Sequence, residues 1–241
     1  MENRMPCVDE NMLRICAGLG KSALAGSFYL AGGTGLAIQL GHRRSLDLDF
    51  FQRGTEEKLA YSRLASALRS LFGVRGVKLE DRQVDQATWD IAGTRVTFLA
   101  YPFPLLEPLT EGGRFHASLR GLLLAPAREI ALMKAYNLGR RTTFRDYVDL
   151  YFLLKRRIVT LEYIITEAPR KFVLEGETLF SPKLFLEQLV YTEDLPDREV
   201  AVRLVASQGS PTAREIELFL REEVRRHLNL LYGPEGGGPR P

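Results

Sequence analysis

The stretch Phe28-Tyr29-Leu30-Ala31-Gly32-Gly33-Thr34, followed after residues 35–46 by Asp47-Leu48-Asp49, decides the fold. Phe28–Ala31 is short, apolar and bounded by Gly26-Ser27 and Gly32-Gly33, which predicts a buried strand. Thr34–Leu40 predicts a short helix closed by Gly41. Leu46-Asp47-Leu48-Asp49-Phe50 alternates with period two and predicts a second strand. Asp47 and Asp49 then share one side, and Leu46, Leu48 and Phe50 face the core on the other.

These residue types carry a definite chemistry. Paired glycines between a strand and a helix let a ligand approach the backbone and leave N–H groups unpaired at the helix N-terminus. Such a terminus attracts phosphate, so Gly32, Gly33 and Thr34 are candidate nucleotide-binding residues, with the Thr34 hydroxyl where the helix begins. Two carboxylates at i and i+2 repel each other unless a cation lies between them. Oxygen ligands of this kind suit Mg²⁺ or Mn²⁺, which makes Asp47 and Asp49 the candidate metal ligands and catalytic acids. Gly41-His42-Arg43-Arg44-Ser45 leads into the acidic strand, and Arg43 and Arg44 are candidates for guiding a triphosphate. Taken singly, a Gly-Gly turn is often only a turn and an exposed Asp-x-Asp only solvated charge. Their spacing is what makes them informative.

Outward from this centre, residues 8–24 predict a helix with Asp9 as its cap. Thr55 is expected to cap a helix to about Leu71, with Leu59, Leu64, Leu68 and Leu71 facing inward. Val77–Val84, Thr88–Ile91 and Thr94–Ala100 read as strands, the last two joined by a tight Ala92-Gly93 turn. Pro102, Pro104 and Pro108 end this pattern and mark a soft boundary near 102–120. Beyond it, Ala127–Leu138, Phe144–Leu154 and residues 160–171, 183–190, 197–207 and 212–231 predict helices. The expected fold class is α/β (α+β), a mixed sheet in the N-terminal half followed by a helical C-terminal half. The expected domains are 1–120 and 121–232, with a disordered Gly/Pro-rich tail at 233–241.

The chain of 241 residues has a formal net charge of +3, which permits a polyanionic partner without requiring one. Cys7 and Cys16 show no metal-ligand spacing and read as buried free thiols. No apolar run approaches the roughly 20 residues that span a bilayer, and no secretory signal is visible. A cytoplasmic protein without membrane contact is expected.

The run from Phe28 to Thr34 and on through Gly41-His42-Arg43-Arg44-Ser45-Leu46-Asp47-Leu48-Asp49-Phe50-Phe51 resembles the signature of abortive-infection nucleotidyltransferase toxins, the AbiEii/AbiGii family. Glu129-Ile130-Ala131-Leu132-Met133-Lys134, with Arg140-Arg141 and Arg145-Asp146-Tyr147-Val148-Asp149-Leu150, resembles that family's second motif. The resemblance covers roughly 25–155. It implies the nucleotidyltransferase fold of the polymerase-beta-like superfamily, a nucleoside triphosphate substrate, nucleotide transfer to an RNA such as tRNA, and a cognate antitoxin protein.

The second motif also has its own physical logic. Lys134 lies on a predicted helix, where its ammonium suits triphosphate oxygens, so it is a candidate both for nucleotide binding and for catalysis. Asp146 and Asp149 are i and i+3 on the next helix and share a face. The resemblance favours Asp146 as a catalytic or positioning carboxylate; its alternative is an ion pair with Arg140, Arg141 or Arg145. The superfamily commonly adds a third metal-binding acid on a later strand. Here Thr94-Arg95-Val96-Thr97-Phe98-Leu99 carries none, and Glu107 follows only in the proline-rich loop. Two further readings therefore stand beside the enzyme: a catalytically degenerate nucleotide- or partner-binding protein, and phosphoryl transfer to a protein. Lys155-Arg156-Arg157 and Arg225-Arg226 suit an RNA backbone or a solvated helix face equally well. His116 and His227 read as surface residues, Trp89 as packed in the sheet.

Overall fold

The computed structural model describes residues 5–141, 143–193, 195–205 and 210–233. Residues 234–241, most of the expected disordered tail, lie outside the described residues, as do 206 and 207 of the helix expected over 197–207. Two compact units form, one reaching to Ile130 and the other starting at Ala131.

In the first unit, helix α1 (Glu10–Gly20) starts where the Asp9 carboxylate accepts the Met12 N–H at 2.8 Å. A single helical turn, α2 (Leu24–Ser27), feeds strand β1 (Phe28–Leu30), which leads directly into helix α3 (Gly32–Leu40). Gly41, at φ +59°, closes α3 in the left-handed conformation that glycine adopts without strain. Strand β2 (Asp47–Gln52), helix α4 (Tyr61–Phe72) and strands β3 (Val77–Arg82), β4 (Gln86–Ile91) and β5 (Thr94–Leu99) follow. Ala92 and Gly93, at φ +50° and +87°, both adopt the left-handed region that a two-residue hairpin requires between β4 and β5.

The chain then adds two short strands that show no periodicity in the sequence, β6 (Thr110–Glu111) and β7 (Leu123–Leu124). The proline-rich stretch thus interrupts the sheet without ending it. The seven-stranded order is β3-β4-β5-β2-β1-β7-β6. β2 is central, antiparallel to β1 and parallel to β5, while β7 runs parallel to β1.

One face of this sheet carries the core, where Leu48 and Phe50 of β2 meet Met12, Ile15 and Leu19 of α1 and Leu64 and Leu68 of α4. Phe98 anchors it, stacked on Phe50 at 5.2 Å and edge-on to Phe28 and Trp89. Cys7 and Cys16 are buried free thiols, and burial raises both above the usual thiol range.

Two expectations fail locally. Leu46 is 54% exposed because it precedes β2, so strand alternation does not govern it. Thr55 caps no helix: α4 begins only at Tyr61, and just before it the Leu59 N–H is tied to the Val84 carbonyl instead of to a helical turn. Leu71 accordingly lies at the solvent edge, 39% exposed.

Helix α5 (Ala127–Asn137) spans the division between the units. The second unit continues with α6 (Phe144–Lys155), α7 (Leu161–Lys171), a small hairpin of β8 (Val173–Leu174) and β9 (Glu177–Thr178), then α8 (Pro182–Leu189), α9 (Arg198–Arg203) and α10 (Ala213–Tyr232). α10 starts in a capping box in which Thr212 and Glu215 satisfy each other's backbone N–H groups. Helix α6 packs against α9 and α10.

Candidate active site

The acidic strand is built as its alternation requires. Leu48 is fully buried in the core face of β2, while Asp47 and Asp49 are half-buried on the opposite face. The Ala31 N–H bonds the Asp49 carbonyl at 3.0 Å and so sets the start of α3 beside this strand. Gly32 takes φ +61°, and a Cβ there would lie 2.5 Å from Asp49 Oδ2. Glycine at 32 is therefore demanded twice, by the backbone and by a carboxylate lying against it. The first N–H groups of α3, from Gly32 onward, have no partner inside the helix by its geometry. An anion-attracting helix end and the Asp49 carboxylate thus lie side by side.

Gly33 has a different reason to be glycine. The place of its missing Cβ is taken by the Arg43 guanidinium. Arg43 is buried and donates from Nη1 to the Arg44 carbonyl at 3.0 Å. It braces the turn from within, whereas Arg44 is exposed. Thr34 departs from the sequence expectation in the same way. Its side chain is buried, and its hydroxyl pairs with the Asp47 carbonyl and with Ser45 Oγ. It ties α3 to the start of β2, so its hydroxyl is engaged inside the protein and only its backbone faces the helix end. The Ser45 N–H bonds the Cys7 carbonyl at 2.8 Å and holds residues 41–46 in place.

The neighbouring strand shows why the acids number two. In the parallel register of β2 and β5, Arg95 lies across from Asp47 and Thr97 across from Asp49. Thr97 pairs onward with Thr88 of β4 at 3.2 Å. Asp90, opposite Arg95 on β4, accepts the Gly93 N–H at 2.8 Å and serves the hairpin turn. Glu107 is held by Arg128 at 2.8 Å. Among the described residues, no cluster of three or more His, Cys, Asp or Glu side chains has metal-binding geometry. A carboxylate pair nonetheless fits Mg²⁺, which is commonly held by one or two carboxylates with phosphate oxygens and water completing its shell.

One residue of the second motif had no role assigned from the sequence. The fully buried Glu129 carboxylate accepts the Leu106 and Glu107 N–H groups at 3.1 and 3.3 Å and pins the proline-rich loop to α5. Burial, aided by the Glu129 charge, pushes the Tyr29 hydroxyl far above its ordinary value, so Tyr29 stays neutral.

In the second unit, Lys134 and Asp146 come together, with Lys134 Nζ 2.7 Å from Asp146 Oδ1. Asp149 joins the same ammonium at 2.8 Å. Arg141 supplies the ion pair that the sequence left open among three arginines. Arg140 instead lies over the Tyr136 ring and donates to the Tyr136 and Leu179 carbonyls, and Arg145 faces Asp197. Burial pushes the Asp146 carboxyl up, but Lys134 and Arg141 outweigh it and hold the carboxyl below the usual carboxylate range. The histidines differ from the surface positions expected. His227 is buried, with Nδ1 3.8 Å from Glu162, and His116 is half-buried, accepting the Ser118 N–H. Of the arginines that suited an RNA backbone, Arg157 is paired with Glu223, Arg225 with Glu222 and Arg226 with Glu223.

The mixed sheet sets a glycine-led helix end beside a strand-borne carboxylate pair, and the family match gives the class, a nucleotidyltransferase. The sequence matches the family described as nucleotidyl transferase AbiEii toxin, Type IV TA system, over residues 14–232. An uncharacterized protein of Aquifex aeolicus (strain VF5) is 28% identical over 205 residues, covering 85% of this chain and 90% of that protein. Similar solved structures include MenT4, the nucleotidyltransferase toxin Rv2826c of Mycobacterium tuberculosis H37Rv (14% identity, 89% of this chain and 80% of that one, TM-score 0.49). Another is JHP933 of Helicobacter pylori (19% identity, 93% and 99%, TM-score 0.46). The chain belongs to the AbiEii nucleotidyl transferase toxin family and is a nucleotidyltransferase of the toxin–antitoxin type. No helix among the described residues is long and apolar enough to cross a membrane.

Proposed function

We propose that the protein moves a nucleotide from a nucleoside triphosphate to an RNA acceptor, tRNA being the expected one, in a Mg²⁺- or Mn²⁺-dependent reaction restrained by a cognate antitoxin. The observation that carries this reading is the contact of Gly32 with Asp49: a backbone N–H donor group and a half-buried carboxylate within one side chain's reach. Phosphate oxygens bind the first N–H groups of α3, and Arg44, exposed at the turn, draws the triphosphate in. Asp47 and Asp49 are the residues that would hold a divalent ion, which when bound would supply charge neutralisation on the transferring phosphoryl group. Thr34 and Arg43 keep the turn in shape rather than touching the nucleotide.

Lys134 takes the charge-neutralising role that its ammonium suits, and Asp146 the positioning role that the family resemblance favours. The ammonium neutralises charge on the leaving pyrophosphate. Asp146 is a poor general base, because a carboxyl held low by two cations has little affinity for a proton. It orients the acceptor hydroxyl or the lysine instead of deprotonating the nucleophile. Location in the cytoplasm, where triphosphate and tRNA are both present, follows from the same reading.

The test is incubation of the purified protein with each α-labelled nucleoside triphosphate, total tRNA and Mg²⁺ or Mn²⁺, with and without chelator. Label joined to tRNA, lost with chelator, is the expected result. Label on protein alone, or release of the γ-phosphate only, sinks nucleotidyl transfer to RNA.

A further inference from the structure

The proposed mechanism uses Lys134 and Asp146, yet four side chains of the second unit form one cluster. Lys134 Nζ faces Asp146 Oδ1 at 2.7 Å and Asp149 Oδ2 at 2.8 Å. Arg141 grips the same Asp146 with Nε on Oδ2 at 2.7 Å and Nη2 on Oδ1 at 2.8 Å. The side chains of Asp146, Asp149 and Lys134 are 1%, 0% and 4% exposed, whereas Arg141 is 51% exposed. Two buried acids thus share one buried ammonium, and the second positive charge comes from a residue that solvent reaches. Without Arg141, the buried group would carry a net negative charge, and one acid would take up a proton or draw Lys134 wholly to itself.

We propose that Arg141 is a positioning residue of the transfer reaction: its planar fork fixes the Asp146 carboxylate and, through it, keeps the Lys134 ammonium shared between Asp146 and Asp149. The inference rests on the transfer reading above for the part these residues play. A bidentate guanidinium sets both the place and the plane of a carboxylate, which a lone ammonium does not. Several charged groups on the helices packed against α6 are engaged elsewhere. On the α9 side, Asp197 binds Thr143, the Phe144 N–H and Arg145, and Arg198 pairs with Glu217 of α10. Also on α10, Glu223 pairs with Arg157 and Arg226. Tyr147, beside Asp146 on α6, is neutral, its hydroxyl pushed up to about 12 by burial and by the Asp146 charge.

The experiment compares Arg141→Gln and Arg141→Lys with the unaltered protein. Nucleotide transfer is measured across pH, and thermal unfolding is followed between about pH 3 and 7. Arg141→Gln is expected to lower kcat by roughly 10- to 100-fold with KM for the triphosphate changed by less than about threefold. Its acid limb should move to higher pH, because Asp146 then protonates more easily. Arg141→Lys keeps the charge without the fork, so its acid limb should stay near the unaltered one while kcat remains reduced.

The stability arm has a fixed sign. Asp146 is held low in the folded state, so its contribution is present above its unfolded value and lost as pH falls through the folded one. The melting-temperature gap between the unaltered and Arg141→Gln proteins should therefore be full near neutral pH and close below about pH 4. Unchanged kcat in Arg141→Gln, or a fall in kcat with an unmoved acid limb, overturns the proposal. A gap of constant size across pH overturns it as well. If the unaltered protein transfers nucleotide to no RNA, the transfer reading fails, and the stability arm alone decides whether Arg141 acts through the Asp146 charge.

Discussion

Gly32 and Gly33 stand next to each other and are glycine for unrelated reasons, so they answer differently to substitution. At Gly32 the left-handed φ of +61° and the 2.5 Å approach of Asp49 Oδ2 to a Cβ position act together. Gly32→Ala strains the backbone by about 1–2 kcal/mol and pushes the carboxylate off the helix end. A folded protein with a lowered melting temperature and transfer reduced at least about tenfold is expected, since a misplacement near 1 Å is costly in an active site. At Gly33 the neighbour is the far end of the Arg43 side chain, which can move, so Gly33→Ala should lose much less activity. Equal loss in the two variants would show that the turn acts only through its overall shape. Asp47→Asn and Asp49→Asn each remove a charge and keep the volume. Either should cut Mg²⁺-dependent transfer by a factor on the order of 10² while leaving circular dichroism unchanged. Full transfer by both single variants would take the metal away from this strand.

At the scale of elements, what the sequence disclosed depended on whether the signal was local. β1, α3 and β2 announce themselves by a short apolar run, a glycine pair and strict alternation, and the Ala92-Gly93 hairpin by its turn residues. β6 and β7 have two residues each, too few for any period, and they owe their existence to partners far along the chain: Tyr29 and Leu30 for β7. The start of α4 is set non-locally in the same way, because the Val84 carbonyl that holds Leu59 is remote in sequence. The site shows the same division. The shared strand face of Asp47 and Asp49 and the place of Gly32 at the helix end were legible from spacing, and family likeness singled out Lys134 and Asp146 as candidates. The inward turn of Thr34 and Arg43 was not legible, since nothing in a sequence says which way a hydroxyl or guanidinium points. The N-terminus of α6 is a further case. Thr143 is the local candidate cap, but its side chain caps nothing, and Asp197 accepts the Phe144 N–H at 2.6 Å and the Thr143 hydroxyl at 2.7 Å. Asp197→Ala should therefore destabilise the protein by about 1–2 kcal/mol, as removal of a helix cap does. Thermal or urea unfolding checks this, and an unchanged midpoint would show that water replaces the carboxylate without loss.

For the whole molecule, the family match runs through both units, from residue 14 to residue 232. Each unit holds its own candidate residues: the glycine-led helix end and the acid pair in the first, the lysine and its two carboxylates in the second. Formal net charge is only +3, and several surface arginines are paired with glutamates, so recognition of an RNA acceptor cannot rest on bulk charge alone. The proposed function gives both sets of residues a part in one transfer reaction. Energetic coupling tests that assignment. Groups that act on the same transferring phosphoryl group have non-additive effects, whereas groups with separate duties multiply their losses. Asp49→Asn and Lys134→Ala are each expected to reduce kcat/KM by a factor on the order of 10². If both serve one triphosphate, the double variant should fall well short of the product, nearer a factor on the order of 10³ than 10⁴. Lys134→Ala leaves Asp146 and Asp149 without their shared cation, so each variant's melting temperature must accompany the rates. Strict multiplication in folded proteins would mean that Lys134 supports the second unit and takes no part in the step that Asp49 assists.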